Sequence, residues 1–102
     1  MNKLQFFAIT AWQNNTFGEA TALSKISHLA EELGELVTDL QTNNIGKKLE
    51  FADCFILLFG AAASDGMSYE DIIAAIDEKM SINYKRNWGK PESNGVVHHI
   101  KQ

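Results

Sequence analysis

One cysteine, one proline and a shortage of positive charge set the first limits on this chain. With Cys54 alone no internal disulfide can form, and a reducing, cytoplasmic setting is expected. With Pro91 alone, most of the chain is free of the residue that breaks helices, and no stretch alternates cleanly between apolar and polar positions. An all-α fold is therefore expected. Nine Lys and Arg stand against thirteen Asp and Glu, a formal charge of -4, which argues against binding a nucleic-acid polymer by neutralising its phosphates. The most apolar stretch, Leu49 to Ala63, is shorter than the roughly 18 residues of a membrane span and carries Glu50 and Asp53. No membrane partner is expected. The start, Met1-Asn2-Lys3-Leu4, leads into too little apolar sequence for a signal peptide.

A length of 102 residues suits a single domain spanning 1–102. A first helix is expected from about Leu4 to Asn14, closing in the polar run Gln13-Asn14-Asn15-Thr16 before Gly18. A second runs from about Ala22 to Gln41, where Leu23, Ile26, Leu29, Leu33, Leu36 and Leu40 recur at helical spacing as one apolar stripe. Asn44 is a good cap for a third, from Ile45 to Ser64, whose apolar residues occupy every side and mark it as the central, buried helix. Asp65-Gly66 stops it. Ser68 and Asp71 open a fourth, packed through Ile72, Ile73, Ile76, Met80 and Tyr84 and ending near Trp88 before Gly89 and Pro91. The tail from Lys90 to Gln102 shows no periodicity.

Five acids stand at instructive positions. Glu32 and Glu35 lie about 60° apart on one helix, and so do Glu50 and Asp53 on the next, with Glu31 beside the first pair. On helix two the plain alternative is a solvated face, shared with Lys25, His28 and Asp39. On helix three Glu50 and Asp53 are the only charges from Leu49 to Ser64, and carboxylates there without partners would be driven to protonate. If the two pairs converge, their repulsion calls for a divalent cation, and all-oxygen ligation points to Mg²⁺ or Mn²⁺ with phosphate oxygens of a substrate. Zinc is disfavoured because Cys54 and the histidines lack ligand spacing. A di-iron bundle needs Glu-x-x-His, whereas Thr38 follows Glu35 and Asp53 follows Glu50 at that distance. On helix four, Lys79, Asn83 and Arg86 form a stripe able to hold phosphate oxygens, or an ordinary solvated helix end.

Glu31-Glu32-Leu33-Gly34-Glu35, followed after fourteen residues by Glu50-Phe51-Ala52-Asp53, resembles the E-E-x-x-E then E-x-x-D signature of the MazG-like all-α nucleoside triphosphate pyrophosphohydrolases. Phe17 to Leu29, Lys79 to Arg86, Trp88-Gly89-Lys90-Pro91 and Gly95 to Ile100 extend the likeness toward the small dATP/dGTP diphosphohydrolase branch, so that it spans nearly the whole chain. The resemblance implies hydrolysis between the α- and β-phosphates, giving a nucleoside monophosphate and pyrophosphate, with purine deoxynucleotides among the expected substrates. It implies Glu32, Glu35, Glu50 and Asp53 as Mg²⁺ ligands, Glu31 as a neighbouring acid of the catalytic cluster, and Lys79, Asn83 and Arg86 as holders of the triphosphate. Glu35 or Glu32 would orient the attacking water.

Trp12 is a candidate for stacking on the base, set against a packing role that fastens helix one. His28 is a candidate substrate contact, set against a place on the polar face. Trp88 reads as a helix-end anchor, His98-His99 as surface and Cys54 as packing. A homodimer or homotetramer is expected to complete the helical bundle, because three one-sided helices leave Phe55, Ile56, Leu57 and Phe59 incompletely covered. Two competing functions remain: a non-catalytic α-helical interaction module, and a sensor that holds nucleotide without cleaving it.

Overall fold

Asn2 opens the first helix by accepting a 2.8 Å hydrogen bond from the Gln5 amide. In the computed structural model, which describes residues 1–18 and 20–100, this helix is α1 (Lys3–Phe17), and it ends at Gly18, whose φ of 67° leaves the helical region. The expected stop near Asn14 is corrected: Gln13-Asn14-Asn15-Thr16 is the last helical stretch, because the Gln13 side chain finds its partner on another helix and Gly18 supplies the break.

Thr21 caps α2 (Ala22–Gln41) through the Ser24 amide at 3.1 Å. Asn43, with φ 51°, turns the chain, and the Asn44 side chain accepts from Gly46 N at 2.7 Å. Asn44 therefore organises the turn rather than capping the helix, and α3 (Lys47–Ser64) begins slightly later than its apolar pattern implies. Asp65-Gly66 ends α3, with Gly66 at φ 93°. Next comes α4 (Tyr69–Lys85), then β1 (Asn87–Trp88) and β2 (His99–Ile100).

By packing the chain divides into two compact units, Met1–Glu70 and Asp71–Gln102. In the first unit α2 and α3 run antiparallel: Lys25 reaches Ser64 while Glu32 and Glu35 meet Glu50 at the other end. Leu29, Leu36, Cys54 and Leu57 form the buried cluster between them. Burying each leucine contributes about 1.5 to 3 kcal/mol relative to leaving it in water. Helix α1 lies on α3 through Gln13, which is fully buried. At its other end the buried Phe6 ring packs against Tyr69 at 5.8 Å.

Two expectations about packing change. The face of α2 turned to α3 carries Lys25, Leu29, Glu32 and Leu36, so the leucine stripe is split, and Leu23, Ile26, Leu33 and Leu40 stay exposed. Nor is α3 buried on every side: Leu57 is buried, Ile56 and Phe59 are half-buried, and Phe55 is 59% exposed.

Within the second unit, Ile72 is the buried anchor of α4, whereas Ile73, Ile76, Met80 and Tyr84 are exposed. The helix closes at Lys85, short of Trp88, because Asn87 and Trp88 pair antiparallel with Ile100 and His99. The tail expected to lack regular structure thus folds back, turning at Gly95 (φ 85°) with Glu92 N donating to Val96 O at 2.7 Å. Strands of two residues are too short to register as periodicity. Trp88 is a helix-end anchor, donating to Asn83 O at 3.1 Å and meeting the exposed His99 ring edge-on at 6.0 Å. The last two residues of the tail lie outside the described residues. Among the described residues, no single helix is long and apolar enough to cross a membrane.

Candidate active site

Two antiparallel helices bring acids together only if their registers agree, and here they do. Carboxylate oxygens of Glu32 and Glu35 on α2 and Glu50 on α3 lie within 4.8 Å of one another. The i, i+3 spacing on α2 aims two groups at one point, and the third comes from across the helix pair. Glu32 and Glu50 are half-buried and Glu35 is exposed, so the cluster sits at the mouth of the interface rather than inside it.

The acids crowd one another. The Glu50 carboxyl is pushed above the usual carboxylate range, first by burial, then by its hydrogen bond with Glu32 and repulsion from Glu32, Glu35 and Asp39. Glu35 is raised first by hydrogen bonding to Glu32 and then by its charge. Cys54 is raised chiefly by burial, with the charges of Glu32, Glu50 and Asp53 adding to it. It is a free, buried thiol held as such.

Glu50 Oε2 is buried and has no hydrogen-bond partner. A buried carboxylate oxygen left unpartnered beside two more carboxylates is costly, and a hard divalent cation is what relieves it. The donor set therefore fits Mg²⁺ or Mn²⁺. Asp53 is exposed and stands outside the three-acid group, lining a cavity with Glu32 instead. Glu31 is exposed, also outside the group.

That cavity, about 140 Å³, is walled by Trp12, Gln13, Phe17, His28, Glu32, Asp53, Ile56 and Leu57. The Trp12 and Phe17 rings meet edge to face at 5.4 Å, and His28 Nε2 stands 3.4 Å from Glu32 Oε1. Trp12 and His28 thus join two of the acids around one hollow, and Trp12 sits on the helix rather than at a polar turn. A larger hollow, about 720 Å³, opens near Asn14, Thr21 and Asp65 and shares none of the acid cluster.

The remaining candidates belong to the second unit. There Asn83 Oδ1 is buried without a partner, Arg86 is half-buried and Lys79 is exposed. Two residues of the first unit escaped the sequence reading. Gln13 looks like part of a polar turn but is fully buried, with Nε2 donating to Ile56 O at 3.0 Å. Lys25 looks like a solvated-face residue but is only 5% exposed. Its position on one face with Leu29, Glu32 and Leu36 is the signal that could have found it.

Comparison with known proteins agrees with the fold and with the family resemblance. A family model described as dATP/dGTP pyrophosphohydrolase matches residues 6–102. A dATP/dGTP diphosphohydrolase of Cyanophage S-2L is 33% identical over 92 residues, covering 90% of this chain and 81% of that protein. A dATP/dGTP diphosphohydrolase of Salmonella phage PMBT28 is 36% identical over 92 residues, and there the match spans only 29% of the relative's length. Among solved structures, the Cyanophage S-2L MazG-like pyrophosphohydrolase, bound to dGDP and three catalytic Mn²⁺ ions per active site, superposes with a TM-score of 0.82 at 30% identity, covering 100% of this chain and 96% of that one. A four-helix chain that carries this acidic cluster and matches the family model over nearly its whole length belongs to the dATP/dGTP pyrophosphohydrolase family.

Proposed function

We propose that residues 1–102 form one domain that hydrolyses (deoxy)nucleoside triphosphates between the α- and β-phosphates in the presence of Mg²⁺ or Mn²⁺, releasing a nucleoside monophosphate and pyrophosphate. The observation that carries this reading is the convergence of Glu32, Glu35 and Glu50 within 4.8 Å, with Glu50 Oε2 buried and unpartnered. Those three acids would hold the metal, and Asp53 is the fourth candidate at the edge of the same cavity. A cation bound there supplies neutralisation of phosphate oxygens and a lowered pKa for water.

The chain's own residues do the rest. Glu35, exposed beside Glu32, orients the attacking water and takes its proton, with Glu32 as the alternative. Glu31 adds negative charge that helps retain the cation. Trp12 offers an aromatic wall to the nucleobase, and His28 a polar one. Lys79, Asn83 and Arg86 are assigned to the β- and γ-phosphates by the chemistry of their donors. Purine deoxynucleotides are the substrates to expect, because both named relatives are dATP/dGTP diphosphohydrolases.

The working form in this reading is a homodimer or homotetramer, supported by the exposed Leu33, Val37 and Leu40 of α2 and Phe55 and Leu58 of α3. The reduced Cys54 suits the cytoplasm. The test is a screen of all ribo- and deoxyribonucleoside triphosphates with Mg²⁺, following monophosphate and pyrophosphate. Release of both from purine deoxynucleotides is expected. Binding without pyrophosphate release would instead make the protein a sensor.

A further inference from the structure

Among the described residues of the first unit, Lys25 is a buried charge whose chemistry the proposed reaction leaves unused. Its ammonium is buried, and among the described residues it has no ion-pair partner. It donates to Ser64 Oγ at 2.7 Å and, at a long 3.5 Å, to Gly60 O. An ammonium has three hydrogens to give, so one remains. A buried cation that is neither paired nor fully hydrogen-bonded is kept at a cost to stability unless an occupant supplies the missing acceptor.

The space for that occupant is present. Lys25 lines a hollow of about 120 Å³ whose other walls include Phe17, Ala20, His28 and Leu57. Phe17, His28 and Leu57 are also walls of the hollow that holds Trp12, Glu32 and Asp53. The two hollows have Phe17, His28 and Leu57 in common, and an object lying along those walls meets aromatic and aliphatic surface beside the Lys25 side chain. A flat heterocycle with a ring acceptor has that chemistry. Lys25 also stands seven residues, about 10 Å along the helix, before Glu32. Side chains at that separation reach different parts of one nucleotide, Glu32 the phosphate end and Lys25 the base.

We propose that Lys25 donates a hydrogen bond to N7 of the purine, making it a residue that selects purine over pyrimidine nucleotides. N7 is the acceptor that adenine and guanine present in common, and pyrimidines have no counterpart. Lys25 carries no part of the hydrolysis. It reads the base, while Ser64 and Gly60 O hold its ammonium in place. The assignment rests on the proposed nucleotide site and names the contact that would make that site purine-selective.

The experiment replaces one atom of the ligand. With the Mg²⁺-loaded protein, kcat/KM is measured for dGTP, dATP and their 7-deaza analogues, in the wild type and in Lys25→Met. Calorimetric binding of dGMP and 7-deaza-dGMP is measured alongside. In the wild type the 7-deaza change should cost about tenfold or more, the usual effect of losing a hydrogen bond to a charged group. In Lys25→Met, natural and 7-deaza nucleotides should agree within about twofold. Equal handling of natural and 7-deaza ligands by the wild type would overturn the assignment, and so would an undiminished penalty in Lys25→Met. If Lys25→Met does not fold, the wild-type comparison decides alone. If no triphosphate is cleaved, the hydrolase reading fails, while the monophosphate binding pair still tests Lys25.

Discussion

Glu50 concentrates the conflict on which the candidate site depends, because its carboxyl is half-buried, next to Glu32 and Glu35, and has an oxygen with no partner. Glu50→Gln keeps the shape and removes the charge. Turnover should fall on the order of 100-fold or more, since even residues that only support a metal ligand are worth 10 to 100-fold. In metal-free buffer the same change should raise the melting temperature, because it relieves repulsion that no cation then offsets. The pH dependence follows from the direction of the shifts. Glu35 and Glu50 are both raised in the folded protein, so their protonated forms favour folding. That contribution is complete below the unfolded carboxylate pKa and is lost as pH rises through the raised folded values. The metal-free protein should therefore melt at a higher temperature on mild acidification from neutral pH, and saturating Mg²⁺ should abolish or reverse the trend. A melting temperature that falls on acidification with chelator present would show that the acids do not repel one another as placed.

At the scale of elements, the contact of α1 with α3 hinges on Gly60. A Cβ there would overlap the Gln13 amide, which is fully buried and bound to Ile56 O. Gly60→Ala should cost about 1 to 3 kcal/mol as overpacking does. Gln13→Ala in the same chain should recover part of it, as a denaturant-unfolding cycle of the single and double variants would show. Helix α4 belongs to a different argument, because its stripe is read by chemistry. Lys79→Ala and Arg86→Ala should each weaken nucleoside triphosphate binding by about 1.5 to 3 kcal/mol if the contact is direct, and monophosphate binding much less. Equal losses for the two ligands in calorimetry would remove α4 from the triphosphate site.

For the molecule as a whole, the apolar residues outnumber the places one copy offers them. Phe55 is 59% exposed, Val37 53% and Leu40 50%, although α2 and α3 pack closely through their other faces. Surfaces of this kind mark interfaces, and a second copy is the partner proposed for them. Light scattering over a dilution series should give a mass at least twice 11.4 kDa at micromolar protein. A constant monomer mass with full activity would show that one chain suffices.

Helix α2 and the acid signature were legible in the sequence because both depend on local spacing: Ala22–Gln41 was read with its observed bounds, and Glu32 and Glu35 share a face by helical geometry alone. The stop at Asp65-Gly66 was legible for the same reason, since Gly66 takes a backbone conformation that favours glycine. What stayed hidden depends on partners distant in sequence. Gln13 looked like a turn residue until α3 offered it the carbonyl of Ile56, and Lys25 looked solvated until Ser64 and Gly60 closed over it. Periodicity names an apolar face without saying which neighbour will cover it, so the split of the leucine stripe between α3 and solvent was a decision of tertiary packing. The same holds for the acids. Helical spacing aimed Glu32 and Glu35 together, but only the antiparallel register of α2 on α3 brought Glu50 to them and left Asp53 at the cavity wall.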